Sequence, residues 1–286
     1  MSQFEDCYWT SQDGLKLHYR DYAGRDDRPP VFCLHGLTRN ARDFDALAPR
    51  LAAQGWRVIC PDMRGRGDSA YAKDPASYNP IQYVRDLAVL FEELAIDRFV
   101  SVGTSMGGLM TLLMGFTTPE KVAACVMNDV GPELDLTGIS RIQDYLGLGR
   151  TFPTWMHAAR ALEEVHGAAF PDWSIDDWLV MAKRTMTLSS NGRVVFDYDM
   201  KIAEPFKGVD YTNQPDMWPG FDALAKNPVV VLRGELSDLL SEAAFRKMGE
   251  RGPDVELVTV PRVGHAPTLD EPESVAAIER LLAKVG

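Results

Sequence analysis

Phe99-Val100-Ser101-Val102-Gly103-Thr104-Ser105-Met106-Gly107 is the stretch on which the reading of this chain turns. An apolar run, Phe99 to Val102, enters it, and a strongly apolar helix-like stretch, Leu109 to Phe116, leaves it. A serine hydroxyl attacks a carbonyl only if its Oγ stands clear of the backbone, and a sharp strand-to-helix turn lifts it there. Glycines two residues to either side let the helix pack back closely on the strand. The same turn sets the N–H of Met106 at a helix N-terminus, where an unpaired donor and the helix dipole favour a developing oxyanion. A bare G-x-S-x-G match is a weak signal, because Gly and Ser are common in loops, but between a strand and a helix it becomes specific.

A nucleophilic serine needs a base within hydrogen-bond reach, and an imidazole with an ordinary pKa near ~6.5 is the usual choice. There are five histidines. His265, in Arg262-Val263-Gly264-His265-Ala266-Pro267, follows the last strand expected from the sequence and so falls at the sheet edge that Ser105 occupies. His18 lies inside an N-terminal strand, His157 and His166 lie in a segment without strand signal, and His35 begins a glycine turn. His265 is therefore read as the base. The third member is a carboxylate that fixes the imidazole tautomer. Asp238, in Arg233-Gly234-Glu235-Leu236-Ser237-Asp238, follows the apolar run Val229–Leu232 and is assigned that place. Asp129, at the end of the preceding strand, is an alternative for that place but is read as a turn or cap-anchoring residue, and Glu235 is a more remote candidate.

Strand-like runs are read at Leu15–Tyr22, Val31–Leu34, Arg57–Cys60, Phe99–Val102, Val122–Met127, Val229–Leu232 and Val255–Val260. Unbroken apolar runs suit a sheet covered on both faces. Helical segments alternate with them, as at Ile81–Leu94 and at Ser274–Val285 after Pro272. That alternation means a mostly parallel α/β sheet. From Gly131 to Pro215 the rhythm stops, and Trp155, Met156, Trp173, Trp178, Met181 and Met186 sit among short helix-like pieces. The division expected is a core of residues 1–130 and 216–286 with an inserted helical cap at 131–215. Most of those aromatics and methionines belong to the cap's own small core, with Trp155 and Met156 as candidates to face a substrate.

The chain has 286 residues, 45% hydrophobic and 25% charged, with a net charge of −11. That balance argues against nucleic acid and anionic membrane surfaces, which reward basic faces, and leaves small-molecule substrates open. The stretch Met1-Ser2-Gln3-Phe4-Glu5-Asp6 lacks the basic start and apolar core of a secretory signal, and no apolar run approaches the ~20 residues that span a bilayer, so a cytoplasmic location is expected. Cys33, Cys60 and Cys125 lie in apolar runs and no pair of the four cysteines has metal-site spacing, which makes them reduced core residues.

The order Ser…Asp…His, each after a strand end, resembles the α/β-hydrolase superfamily over nearly the full chain, and within it the serine-hydrolase branch with a helical cap. The resemblance implies a mostly parallel central sheet of about eight strands with helices on both faces. It also implies, from His35-Gly36-Leu37, that the N–H of Leu37 stands opposite that of Met106 in an oxyanion hole, with His35 structural. The loop Asp62-Met63-Arg64-Gly65-Arg66-Gly67-Asp68-Ser69 is similar to the family's, although many relatives carry a histidine where this chain has Arg66; it is read as architectural. Arg39, just past the oxyanion turn, is a candidate to meet a substrate carboxylate or polar group.

The activity so implied is hydrolysis of a small carboxylic ester or lactone through an acyl-enzyme on Ser105, by a monomer or homodimer needing no metal or organic cofactor. The same triad in this superfamily also hydrolyses a carbon–carbon bond of vinylogous 1,5-diketones, and some members with an intact triad serve as small-molecule receptors. A serine at position 105 argues against the dehalogenase and epoxide-hydrolase relatives, which use an aspartate nucleophile.

Overall fold

In the computed structural model, which describes residues 4–286, the apolar runs become strands of one eight-stranded sheet. The first three residues of the N-terminal stretch read above lie outside the described residues. Before the insertion come β1 (Glu5–Thr10), β2 (Lys16–Tyr22), β3 (Val31–Leu34), β4 (Val58–Asp62), β5 (Phe99–Thr104) and β6 (Val122–Asn128). Inside it are the short strands β7 (Thr151–Phe152), β8 (Met186–Leu188) and β9 (Val194–Phe196). After it come β10 (Val229–Gly234) and β11 (Val255–Val260). The large sheet runs β1-β2-β4-β3-β5-β6-β10-β11. From β4 onward the pairings are parallel, while β1 on β2 and β2 on β4 are antiparallel.

Period-two alternation sorts each central strand between two cores. In β3, Phe32 and Leu34 pack with Phe91, Phe99 and Met110 on one face, and Val31 and Cys33 pack with Leu51, Val102 and Ile278 on the other. Helices cover both faces, among them Pro80–Glu93, Met106–Thr117 and Pro272–Leu282. The family of solvent-exposed positions in β1, with Trp9 its one fully buried residue, explains why that strand has no apolar signature in the sequence.

Between β6 and β10 the chain leaves the sheet. The helices Leu136–Tyr145, Trp155–His166 and Ile175–Thr185 are joined by a second sheet, β7-β9-β8, wholly antiparallel. The sequence reading expected no strand here. These strands are two or three residues long, too short for a period of two to register. Phe152, Leu162, Phe170, Trp178 and Met181 make the insertion's core. The segment just after β9 is stitched to the loop after β4: Gly67 N donates to Asp197 O at 3.2 Å, Asp199 N donates to Gly65 O at 2.8 Å, and Tyr78 Oη donates to the Asp199 carboxylate at 2.6 Å.

Candidate active site

Ser105 caps the helix Met106–Thr117 with φ 51° and ψ −112°, a left-handed backbone that a non-glycine residue adopts only under constraint. The constraint is close packing. A Cβ on Gly103 would lie 2.6 Å from the backbone of Gly107 and Gly108, and one on Gly107 only 2.0 Å from Leu34 O. Ser105 N donates to Asn128 O at 3.0 Å, which binds the turn to the end of β6. Asn128 continues the link, since its Nδ2 donates to Thr104 Oγ1 at 3.0 Å and to Pro267 O at 2.9 Å, in the loop that carries His265.

His265 Nε2 lies 2.9 Å from Ser105 Oγ, and His265 Nδ1 lies 2.7 Å from Asp129 Oδ2. Asp129 is fully buried and follows β6 with φ 54°. Its Oδ1 accepts from Gly234 N at 2.9 Å and its Oδ2 also accepts from Ser237 Oγ at 2.6 Å. A carboxylate so held fixes the imidazole with Nδ1–H toward Asp129 and the Nε2 lone pair toward Ser105.

Asp238, the expected partner of His265, makes no hydrogen bond or ion pair with it among the described residues. Both its oxygens accept from Arg141 of the helix Leu136–Tyr145, at 2.5 and 2.9 Å. Burial works against ionisation of Asp238, but the Arg141 hydrogen bond and charge, with that of His265 adding, hold its carboxyl below the ordinary value. The bidentate guanidinium thus commits Asp238 to joining the insertion to the core. The imidazole meets Asp129 instead: Asp129 directly follows β6, whereas Asp238 lies further past the end of β10, is held by Arg141, and is preceded by Ser237, whose hydroxyl is turned onto Asp129. Glu235 reaches Arg262 N at 2.7 Å and not the imidazole.

Leu37 lines the cavity in front of Ser105, and the N–H groups of Leu37 and Met106 have no acceptor among the described residues. The peptide that carries the Leu37 N–H is pinned from behind. His35, fully buried, accepts from Met63 N at 3.0 Å on Nε2, which leaves Nδ1–H to donate to Gly36 O at 2.7 Å. Arg39 N donates to the same oxygen at 3.1 Å. Since C=O and N–H of a trans peptide point opposite ways, fixing Gly36 O aims the Leu37 N–H away from it. Desolvation holds the His35 pKa low, consistent with this neutral tautomer. Arg66, also fully buried, fixes the next peptide: its Nε donates to Leu37 O at 3.0 Å, while Nη1 donates to Arg64 O and Tyr83 Oη at 2.7 and 2.8 Å.

The cavity measures about 140 Å³ and is lined by Ser105, His265, Leu37 and Arg39 from the core and by Tyr145, Phe152, Leu162, His166, Trp178 and Met181 from the insertion. Trp155 and Met156 do not line it. Trp155 packs on the insertion's own core and Met156 is 41% exposed, because on the helix Trp155–His166 it is Ala161, Leu162, Val165 and His166 that turn toward the cavity. A second polar cluster, His18, Asp62 and Asp68, has metal-like proximity, but Asp62 and Asp6 already occupy both nitrogens of His18, and Asp62 accepts from Ala41 N and Asp68 N. Those atoms serve the fold.

An alpha/beta hydrolase family model matches residues 31–278, and the chain belongs to that family and is a hydrolase. Its structure is similar to that of an alpha/beta hydrolase from Novosphingobium aromaticivorans, with 61% identity, full coverage of both chains and a TM-score of 0.95. A 3-hydroxybutyrate-oligomer hydrolase from Cupriavidus necator is 34% identical over 281 residues, 96% of this chain and 94% of that one. A 2-(acetamidomethylene)succinate hydrolase from Mesorhizobium japonicum is 26% identical over 237 residues, 83% of this chain and 81% of that one. Among the described residues no helix is long and apolar enough to cross a membrane.

Proposed function

We propose that this protein hydrolyses a small carboxylic ester by way of an acyl-enzyme on Ser105, with His265 as general base and Asp129 as the residue that orients it. The observation that carries the reading is the unbroken line from Ser105 Oγ to His265 Nε2 at 2.9 Å and from His265 Nδ1 to Asp129 Oδ2 at 2.7 Å. Ser105 Oγ attacks the ester carbonyl as His265 Nε2 takes its proton, and the N–H groups of Leu37 and Met106 receive the oxyanion. His265 then returns the proton to the departing alkoxide. Water, deprotonated by the same imidazole, attacks the acyl-enzyme, and Ser105 leaves reprotonated. Each oxyanion donor is worth about 3 kcal/mol at the transition state. Residues 131–215 act in this proposal as a cap that keeps water from the acyl-enzyme. The resemblance to the 3-hydroxybutyrate-oligomer hydrolase supports an ester as substrate, since an oligomer of a hydroxy acid is joined by ester bonds.

The test is product identity on a panel of p-nitrophenyl butyrate, lactones and vinylogous 1,5-diketones. The expected outcome is many turnovers with release of carboxylic acid, lost by about five to six orders of magnitude in Ser105→Ala. A fluorophosphonate should label Ser105 alone. Cleavage of the diketone carbon–carbon bond with no ester turnover would replace this reading with the second hydrolase chemistry, and single-cycle acylation without turnover would replace it with a receptor.

A further inference from the structure

The charges on the cavity wall select a kind of ester. Histidines aside, the charged side chains that line it are Arg39, Asp43 and Arg150. Asp43 accepts from Arg39 Nε through both oxygens, at 2.8 and 2.9 Å, which holds the guanidinium in place. Both Nη groups of Arg39 are left without an acceptor among the described residues. A guanidinium offers five N–H donors, so the free end remains a fork able to take a planar carboxylate. Arg150 makes no ion pair among the described residues and lies over the Phe152 ring. His166 adds no charge near neutrality: burial, aided by the charges of Arg39, Arg141 and His265, lowers its pKa to about 4. In a chain of net charge −11, the space in front of Ser105 is thus cationic. The remaining walls, Leu37, Ile142, Leu148, Phe152, Leu162 and Trp178, are apolar.

Arg39 also stands beside the nucleophile. A Cβ built on Gly36 would lie 3.3 Å from Arg39 Cγ and 3.9 Å from Ser105 Cβ, so the stem of the arginine starts against the same glycine that abuts the serine. The fork and Ser105 Oγ therefore open on the same cavity.

The geometry points to a substrate that is a short acyclic ester with a free carboxylate a few bonds from the scissile carbonyl, seated on the Nη groups of Arg39 with its alkyl parts on the apolar walls. A β-acyloxy acid is one member of that class. This inference rests on the ester-hydrolase reading. Neutral esters and lactones lack the group that Arg39 is placed to receive.

The experiment compares the linear dimer of 3-hydroxybutyrate with its methyl ester, on the wild-type protein and on Arg39→Gln. The free acid should be preferred by roughly 10–100-fold in kcat/KM, mainly through KM, as expected for one charge-assisted pair. Arg39→Gln should bring the preference close to unity, and Arg39→Lys should restore part of it. Equal rates on acid and methyl ester in the wild type, or a preference undiminished in Arg39→Gln, would overturn the inference. The wild-type ratio needs no variant, and fluorophosphonate labelling of Ser105 verifies that each variant is folded. If p-nitrophenyl butyrate is turned over without any acid preference, the carboxylate site alone fails; if no ester is turned over, the parent reading fails with it.

Discussion

Asp129 and Asp238 are both aspartates just beyond the C-terminal end of a parallel strand, yet their surroundings give them opposite work. The oxygens of Asp129 accept from His265, Ser237 Oγ and Gly234 N. Those of Asp238 face a guanidinium. Asp129→Asn replaces an acceptor toward Nδ1 with an amide and favours the wrong tautomer, so kcat on p-nitrophenyl butyrate should fall about 10⁴-fold with the fold intact. Asp238→Asn should cost less than about 10-fold, since it weakens a partly exposed pair. Equal or reversed losses in a steady-state assay would overturn the orienting role proposed for Asp129. The choice between these two residues was not legible in the sequence, because motif position places each at the right rim and only the folded contacts distinguish them, Arg141 on Asp238 and Gly234 N and Ser237 Oγ on Asp129. Ser105 and His265 were legible, since a strand-turn-helix with glycines at fixed offsets, and a histidine in the loop after the last strand, are local patterns. Trp155 and Met156 were misjudged for a related reason: which side of a short helix meets the cavity depends on how the insertion docks, and both faces of that helix carry apolar residues.

At the scale of elements, the segment 35–41 and the loop 62–69 work as one unit. His35 bonds across to Met63, Arg66 to Leu37, and Asp62 to Ala41 N at 2.6 Å. Arg66 is the unusual member, a fully buried cation with no carboxylate within ion-pair distance among the described residues. It is satisfied by two carbonyls, the Tyr83 hydroxyl and the Tyr83 and Tyr78 rings, and its Nη2 stands 3.9 Å from Met106 Sδ. It therefore touches both residues whose N–H groups are proposed to hold the oxyanion. Arg66→Met should lower kcat about 10–100-fold, part of the loss of a full oxyanion donor, while KM changes little. Thermal unfolding measured in parallel separates that from loss of fold, and a rise in KM at unchanged kcat would remove Arg66 from this role. Motif reading marked the loop as architectural. That it braces the Leu37 peptide appears only when the loop after β4 is seen folded over the turn after β3. Most of the parallel strands were legible because they are continuous apolar runs buried on both faces, and the partly exposed edge strand β11 kept enough Val and Leu to register; β1 and the strands of the insertion were not, being exposed or only two or three residues long.

Across the whole molecule, the antiparallel margin of the sheet is wired to the catalytic rim through one buried pair. His18 of β2 bonds through Nδ1 to Asp62 at 2.7 Å and through Nε2 to Asp6 of β1 at 3.0 Å, and Asp62 in turn holds Ala41 N and Asp68 N. Burial disfavours the charge on His18, but hydrogen bonding and attraction to Asp62, with Asp6 assisting, win and raise its pKa. Burial likewise opposes ionisation of Asp62, and the His18 hydrogen bond, with that from Ala41 N, overcomes it and lowers its pKa. Stability from the raised histidine is complete below its unfolded value of about 6.5 and is lost as pH rises through the folded value. Stability from the depressed carboxyl is complete above about 3.9 and is lost as pH falls through its own folded value. The pair therefore contributes most between those two limits. His18→Gln should lower the urea midpoint relative to wild type, and the gap should be widest near about pH 5.5 and narrow toward about pH 9. Because Asp62 also holds Ala41, the same variant should lose the proposed hydrolysis of p-nitrophenyl butyrate at sub-denaturing urea before the wild type does. A stability gap that stays constant from acid to alkaline pH would mean that the His18 ring acts there through shape and not through its charge.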